Sequence, residues 1–327
     1  MARVLITGAS GFLGGRLAQV LSQRGSKVRV LLRPGAELAH LRDSGVEFLC
    51  VAPGDVTTLN MAVQGITHIY NCAGCSTDWA PWSSYFEANV TIVRNLLDAA
   101  GKTNQVRRFL HVSTTDVYGY PAIACDETQP LTDAGLPYNS TKCLGEESVW
   151  AASREHGLPV TIVRPATIYG PRGKAFAADI AQLIRQRMMA VFDGGKARGG
   201  FCYVDNAVDG IIDAANAPEA ESNAYNLADG TGVTWREYVD ALADGLGERR
   251  PWIDLPSSVA LGLARVLESP HKLLRIPGRP LLTRHAVLLL SRDQEYPTAK
   301  AQRDFGFLPR ISWDEGLRRT VGWLRQT

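Results

Sequence analysis

Three glycines, Gly8, Gly11 and Gly14, follow directly on the apolar run Val4-Leu5-Ile6 and lead into a segment, Phe12 to Arg24, whose apolar residues recur at helical spacing. A chain written this way begins as a buried strand, turns tightly and enters a helix, which commits it to an α/β fold from its first residues. In Thr7-Gly8-Ala9-Ser10-Gly11-Phe12-Leu13-Gly14, Gly8 permits the turn, Gly11 lets backbone N–H groups approach a pyrophosphate, and Gly14 lets the helix close on the strand. The stretch reads as a dinucleotide site with its anion at the helix N-terminus.

Short apolar runs then alternate with helical patterns. Strands are expected at Arg3–Thr7, Lys27–Leu32, Val46–Cys50, His68–Asn71, Phe109–Ser113 and Val160–Arg164, the pattern of a doubly wound parallel sheet, or Rossmann fold. In the dinucleotide-binding order the cofactor lies at the switch between the first and fourth strands. Beyond Pro171 the texture changes: glycine turns at Asp193-Gly194-Gly195 and Arg198-Gly199-Gly200, and prolines at 251, 256, 270, 277, 280, 297 and 309, interrupt shorter helices. Residues 1–170 are therefore expected to form the dinucleotide-binding domain. Residues 201–228 return to it as a helix (Asp205–Asn216) and a strand (Ala224–Leu227), and 171–200 with 229–327 make a smaller, interleaved C-terminal substrate-binding lobe.

Composition narrows the classes. With 45% apolar and 21% charged residues the chain is an ordinary globular protein, and a net charge of +2 without any basic block argues against a nucleic-acid partner. The first strand starts at once, leaving no room for a leader peptide, so a cytoplasmic protein is expected. The six cysteines read as reduced thiols. Cys72-x-x-Cys75 lacks two further ligands at zinc spacing, so no metal is expected. His111, inside an apolar run, reads as a core residue. The apolar runs 259–267, 273–276 and 286–290 are too short to span a bilayer. They fit lobe core, an apolar lid over a greasy substrate, or a peripheral membrane or dimer contact, with Lys272 and Arg275 suited to an anionic surface.

A second constellation lies further on. Tyr138-Asn139-Ser140-Thr141-Lys142 sets a phenol and an ammonium four residues apart, on one face of a helix. Upstream, Arg108-Phe109-Leu110-His111-Val112-Ser113-Thr114-Thr115 is a strand pattern ending in three hydroxyls, and strand C-termini line the ligand crevice of a parallel sheet. A nearby ammonium stabilises a phenolate and brings its proton transfer toward neutral pH.

With its N-terminal glycines, the chain resembles the extended short-chain dehydrogenase/reductases, the NAD-dependent epimerase/dehydratase superfamily. Gly54-Asp55-Val56, Asn71-Cys72-Ala73-Gly74, Asn89-Val90, Val117-Tyr118-Gly119, Arg164-Pro165-Ala166-Thr167-Ile168-Tyr169-Gly170-Pro171 and Tyr203-Val204-Asp205-Asn206 match as well. Its texture is most similar to the 3β-hydroxysteroid dehydrogenase and dihydroflavonol reductase members. The resemblance implies a catalytic hydroxyl at Thr114, with Ser113 the other candidate, Tyr138 as proton carrier, and Lys142 bonded to the nicotinamide ribose with water-mediated support from Asn89. It implies a cofactor cradle of Gly8, Ser10, Gly11, Phe12, Leu13, Gly14, Arg33, Asp55 (toward the adenine amino group), Val56, Cys72, Ala73, Gly74, Asn89, Tyr138, Lys142, Pro165, Ala166 and Thr167. Substrate contacts fall on Cys75, Ser76, Thr77, Thr115, Asp116 and Ile168. Relatives pair as homodimers through a four-helix interface, here Ser83–Gly101 and the Tyr138 helix.

The end of the second strand reads Leu31-Leu32-Arg33 and offers no acid for the adenosine ribose. Arg33 suits a 2′-phosphate instead, as in dihydroflavonol-reductase-like members, so NADP(H) is expected, with NAD(H) the alternative. Dehydratases of the superfamily carry Thr-Asp-Glu where this chain has Thr114-Thr115-Asp116, and a Thr in the acid position disfavours dehydration. The expected function is an NAD(P)-dependent oxidoreductase that moves hydride between nicotinamide and a hydrophobic secondary alcohol or ketone through a Thr114-Tyr138-Lys142 triad. A nucleotide-sugar epimerase, with Arg172, Arg198 and Arg292 available to clamp a diphosphate, is the alternative. A non-catalytic dinucleotide-binding sensor is the second, and the Tyr-Lys pair speaks against it.

Overall fold

Each strand of the central sheet returns to its neighbour by a crossover, so all seven run parallel and are covered on both faces. The computed structural model describes residues 2–36, 39–52, 54–121, 123–274 and 276–327. The chain runs through β1 (Arg3–Thr7), α1 (Phe12–Gln23), β2 (Lys27–Leu32), β3 (Glu47–Cys50), α2 (Val56–Ala62), β4 (His68–Asn71), α3 (Trp82–Phe86), α4 (Ile92–Gly101), β5 (Arg108–Val112), α5 (Pro137–His156) and β6 (Val160–Pro165). A second series follows: β7 (Thr167–Tyr169), α6 (Asp179–Arg185), β8 (Ala190–Phe192), β9 (Phe201–Tyr203), α7 (Val204–Asn216), β10 (Asn223–Leu227), α8 (Trp235–Leu246), β11 (Ile253–Leu255), α9 (Ser257–Leu273), α10 (Arg284–Ser291), α11 (Ala299–Phe305) and α12 (Trp313–Leu324).

The sheet order is β3-β2-β1-β4-β5-β6-β10, with β1 paired to both β2 and β4, so the expected switch point is present. Alternation along β1 divides the core: Val4 and Ile6 pack with Leu17 of α1 and Val208 and Ile211 of α7, whereas Leu5 packs with Leu59 of α2, Leu96 of α4 and Val149 of α5. β5 ends at Val112, one residue before the boundary expected from sequence. The reason is local: Thr114 takes an extended conformation and caps the 3₁₀ turn Thr115–Tyr118, which stops the ladder and places Ser113 and Thr114 beyond the strand end.

The second lobe is built on aromatic packing. β7 pairs with β9 and β8 with β11, and Tyr169, Phe201, Trp235 and Tyr238 are wholly buried or nearly so in one cluster, with the Phe201 and Tyr238 rings 4.4 Å apart. The three apolar runs have different fates. Val287 of α10 is buried against Ala260 and Ala264 of α9 and Phe192 of β8, so that run is lobe core. The opposite face of α9 stays bare, with Val259 57% and Val266 67% exposed, as does Leu273 at its end. Arg275 lies outside the described residues. No described helix is long and apolar enough to cross a membrane.

Candidate active site

The glycine loop closes where β1 and β4 end side by side. A Cβ on Gly8, whose φ is +71°, would lie 2.7 Å from the Ala73 amide and the Cys72 carbonyl, and one on Gly14 would lie 2.5 Å from the Gly8 carbonyl oxygen; only glycine allows the chains to meet. Thr7 ties the two ends together, its hydroxyl donating to Asn71 Oδ1 (2.7 Å) and accepting from the Ala73 amide (3.0 Å). α1 then starts from Gly11 with no side-chain cap and no acid in its first turn. Its N-terminal amides are therefore left for an anion. Ser10 and Gly11 are exposed, Phe12 and Leu13 half-buried. These residues fit a dinucleotide.

Around this cradle, Arg33 is exposed just past β2. Asp55 caps α2, its Oδ1 accepting from the Thr58 amide at 3.0 Å, with Val56 exposed beside it. On the opposite side Pro165 ends β6, the Ala166 amide donates to the Leu227 carbonyl (3.0 Å), and Thr167 opens β7. His40 was not anticipated: its Nε2 is 3.2 Å from the Ala9 carbonyl, and burial together with the charge of Arg172 holds its pKa below the ordinary histidine value. No motif marks it.

The candidate reacting groups meet where α5 passes the end of β5. Pro137 occupies the first turn of α5, and Asn139 pins that turn in place: its Nδ2 donates to the Asp116 carbonyl (2.7 Å) and the Thr132 carbonyl (2.9 Å), and its Oδ1 accepts from the Ala134 amide (2.6 Å). Tyr138 is half-buried. Burial and the Asp116 carboxylate push its phenol pKa up, opposed by a hydrogen bond with Thr114. Thr114 Oγ1 itself donates to Asp116 Oδ1 and accepts from the Asp116 amide, both at 3.2 Å. Ser113 Oγ is buried without a partner among the described residues.

Lys142 Nζ donates to the Val112 carbonyl at 2.7 Å. Burial lowers its pKa to about 8, with the Glu146 carboxylate one turn on working in the opposite direction. The ammonium is therefore lost as pH rises through about 8 in the cofactor-free protein. The expected result is a falling kcat/KM for the cofactor above that pH, which Lys142→Arg shifts upward; a profile flat to pH ~10 would show that Lys142 is not the titrating group.

Asn89 makes direct bonds to the Cys75 loop and to α5. Its Oδ1 accepts from the Cys75 amide (2.8 Å), and its Nδ2 donates to the Cys75 carbonyl (3.2 Å) and Thr141 Oγ1 (2.9 Å). It clamps the loop after β4 onto α5, with Gly74 against it. His111 is neutral and buried, its Nδ1 bonded to Asn71 at 2.9 Å and its pKa driven well down by burial and by Lys142. The Cys72 thiol is pushed up to about 12 by burial and stays protonated at neutral pH.

Of the expected substrate contacts, Ser76 and Thr77 are exposed and Cys75 and Ile168 half-buried, while Thr115 is fully buried and bonded to Tyr296. The loop carrying Cys75, Ser76 and Thr77 is tied to the second lobe. Asp78 accepts from Arg279 Nε (2.7 Å) and Thr283 Oγ1 (2.7 Å), and the Trp79 ring meets His271 edge-on at 6.0 Å and lies 5.5 Å below Lys272 Nζ. Immediately beyond, in the first turn of α10, His285 is buried with Nε2 3.1 Å from Asp116 Oδ2 and its ring nearly parallel to that of Tyr138, centroids 5.6 Å apart. Arg198, considered above for a diphosphate clamp, is instead paired with Asp293 and Glu295.

Known proteins resemble this chain over most of its length. Residues 4–228 match the NAD dependent epimerase/dehydratase family. The chain is 29% identical over 326 residues to a 2-alkyl-3-oxoalkanoate reductase of Stenotrophomonas maltophilia, covering 97% of this chain and 98% of that protein. It is 30% identical over 321 residues to a 4-hydroxy-2-methyl-3-oxo-4-farnesyl-3,4-dihydroquinoline-1-oxide ketoreductase of Stigmatella aurantiaca, covering 96% and 94%. Among solved structures, a UDP-glucuronic acid 4-epimerase from Bacillus cereus in complex with NAD superposes with a TM-score of 0.78 at 20% identity over 99% of both chains, a likeness of fold.

Proposed function

This chain belongs to the NAD dependent epimerase/dehydratase family, and we propose that within it the protein is an NADP(H)-dependent reductase of hydrophobic ketones, with the corresponding secondary alcohols as its reverse substrates. The observation that carries the reading is the Tyr138–Lys142 pair on α5, with Lys142 buried and the half-buried Tyr138 ring lying against His285 of α10. Both curated relatives described above are named for reducing oxo groups on molecules with alkyl or farnesyl substituents, which supports a greasy ketone here.

The nicotinamide, when bound, supplies or takes up the hydride. Tyr138 gives its phenolic proton to the carbonyl oxygen as the alcohol forms and takes it back in the reverse direction. Lys142 stabilises the phenolate left behind, and the Glu146 carboxylate helps it remain an ammonium. The hydroxyl of Thr114 orients the oxygen, and Asn89 holds the Cys75 loop so that the site keeps its shape. The glycine loop and the α1 amides hold the diphosphate, and Arg33 pairs with the 2′-phosphate. The epimerase alternative needs a cationic clamp, and of the three arginines available for one, Arg198 is engaged by Asp293 and Glu295. Association of two copies through Ser83–Gly101 and α5 belongs to the same proposal.

The test is cofactor consumption. With NADPH and a panel of long-chain, sterol and aromatic ketones, the near-ultraviolet absorbance of reduced nicotinamide should fall in step with alcohol formed. Tightly co-purified NAD and interconversion of a UDP-sugar without net absorbance change would overturn the reading. In the same titrations Arg33→Asp should weaken NADPH and improve NADH, because a phosphate partner becomes a ribose-hydroxyl acceptor; NADH binding as well as NADPH to the unmutated protein would remove the NADP assignment.

A further inference from the structure

The pair formed by Asp116 and His285 takes no part in the hydride step, yet it stands against the phenol that does. Asp116 lies in the turn after β5 and His285 at the start of α10, and both are 7% exposed. One carboxylate oxygen accepts from Thr114; the other accepts from the Tyr120 hydroxyl and from His285 Nε2 at 3.1 Å. Burial raises the Asp116 pKa, but the bonds from His285, Tyr120 and Thr114 outweigh it, so the group is held as a carboxylate. A carboxylate at Nε2 fixes the proton there and leaves the lone pair on Nδ1. Among the described residues no hydrogen bond reaches that nitrogen. A buried carboxylate–imidazole couple is costly to assemble. The link between the lobe and the sheet does not require it, since Arg279 and Thr283 already fasten the same segment to Asp78.

We propose that His285, oriented by Asp116, is a second proton-transfer group of this site and catalyses enolisation of the bound ketone at the carbon next to the carbonyl. The inference rests on the ketone reading above. In the reading above Tyr138 holds the carbonyl oxygen, the α carbon is two bonds from that oxygen, and the His285 ring lies nearly parallel to the Tyr138 ring with centroids 5.6 Å apart. Nδ1 takes the proton from the α carbon, and the electron pair of the broken C–H bond forms the C=C bond. The carbonyl π pair moves onto the oxygen, where the Tyr138 hydroxyl stabilises it by a hydrogen bond. The imidazolium so formed is neutralised by Asp116. While the enolate is held, the proton on Nδ1 exchanges with one from solvent; return of that proton from Nδ1 to the same carbon restores the ketone, and no oxidant or reductant is consumed. The net result is exchange of the α hydrogen with solvent.

The experiment uses the whole protein with NADP⁺, which cannot reduce a ketone, and the same ketone panel in deuterium oxide. Deuterium at the α carbon is followed by mass spectrometry. Enzyme-dependent incorporation is expected, and His285→Gln should lower its rate by about 10²-fold or more, with Asp116→Asn lowering it too. Fluorescence titration with NADPH checks that each variant retains its cofactor site. Reduction of a ketone without enzyme-dependent exchange overturns the dyad and leaves the reductase reading standing. Exchange without reduction supports the dyad and removes the reductase reading. A folded His285→Gln protein that exchanges within a few-fold of the parent also overturns the proposal.

Discussion

Replacing Tyr138 with Phe is expected to lower turnover of a hydrophobic ketone by roughly 10²- to 10⁴-fold, the range associated with loss of a positioned general acid. Cofactor affinity should change little. The substitution keeps the ring that stacks on His285 at 5.6 Å, so the contact between α5 and α10 survives and only the proton is lost. Lys142→Ala is expected to behave differently, impairing turnover and cofactor binding together, because its Nζ is the cation anchored on the end of β5. Steady-state kinetics and a fluorescence titration of NADPH separate the two effects. A Tyr138→Phe protein within a few-fold of the parent on the true substrate would falsify the role given to the phenol.

Glu146→Ala is expected to cost about 3–5 kcal/mol of folding stability, because it leaves a buried guanidinium without its counter-charge. Arg164 is bidentate on Glu146, Nε to Oε1 at 2.9 Å and Nη2 to Oε2 at 2.7 Å, and its third arm donates to Tyr118 OH at 2.9 Å. Tyr118 passes the network on to Asn226 of β10 at 2.7 Å. Both side chains of the ion pair are at most 5% exposed, so solvent does not screen the loss. Urea unfolding followed by circular dichroism measures the change. The double variant Glu146→Leu/Arg164→Met should recover most of it, since neither charge then stays buried alone. A loss below about 1 kcal/mol in the single variant would mean that water or a rearranged partner satisfies Arg164.

The sheet and half of the candidate site could be read from the sequence because both rest on short-range chemistry. A buried parallel strand must be apolar, and the turn that follows must be polar or glycine, so β1, β2 and β4 run between the residues that the pattern marked. Tyr138 and Lys142 are one helical turn apart wherever that helix lies, and Gly8 and Gly14 announce a close approach of backbones whatever lies opposite. The end of β5 moved by one residue because Thr114 serves as a cap, which the apolar pattern does not encode. The second half of the site is of another kind. His285 meets Asp116 across 169 positions and Arg279 meets Asp78 across 201, and no local spacing relates such residues. The roles of Arg198, Asn89 and the bare face of α9 were likewise open, since a charge or an apolar stripe has no partner until the chain returns. Sequence alone marked which groups are the candidates for redox and phosphate chemistry, through periodicity and backbone sterics acting within a few residues. Tertiary structure alone decided what closes over them, because the packing of α9 and α10 onto the strand ends is a long-range property of the whole fold.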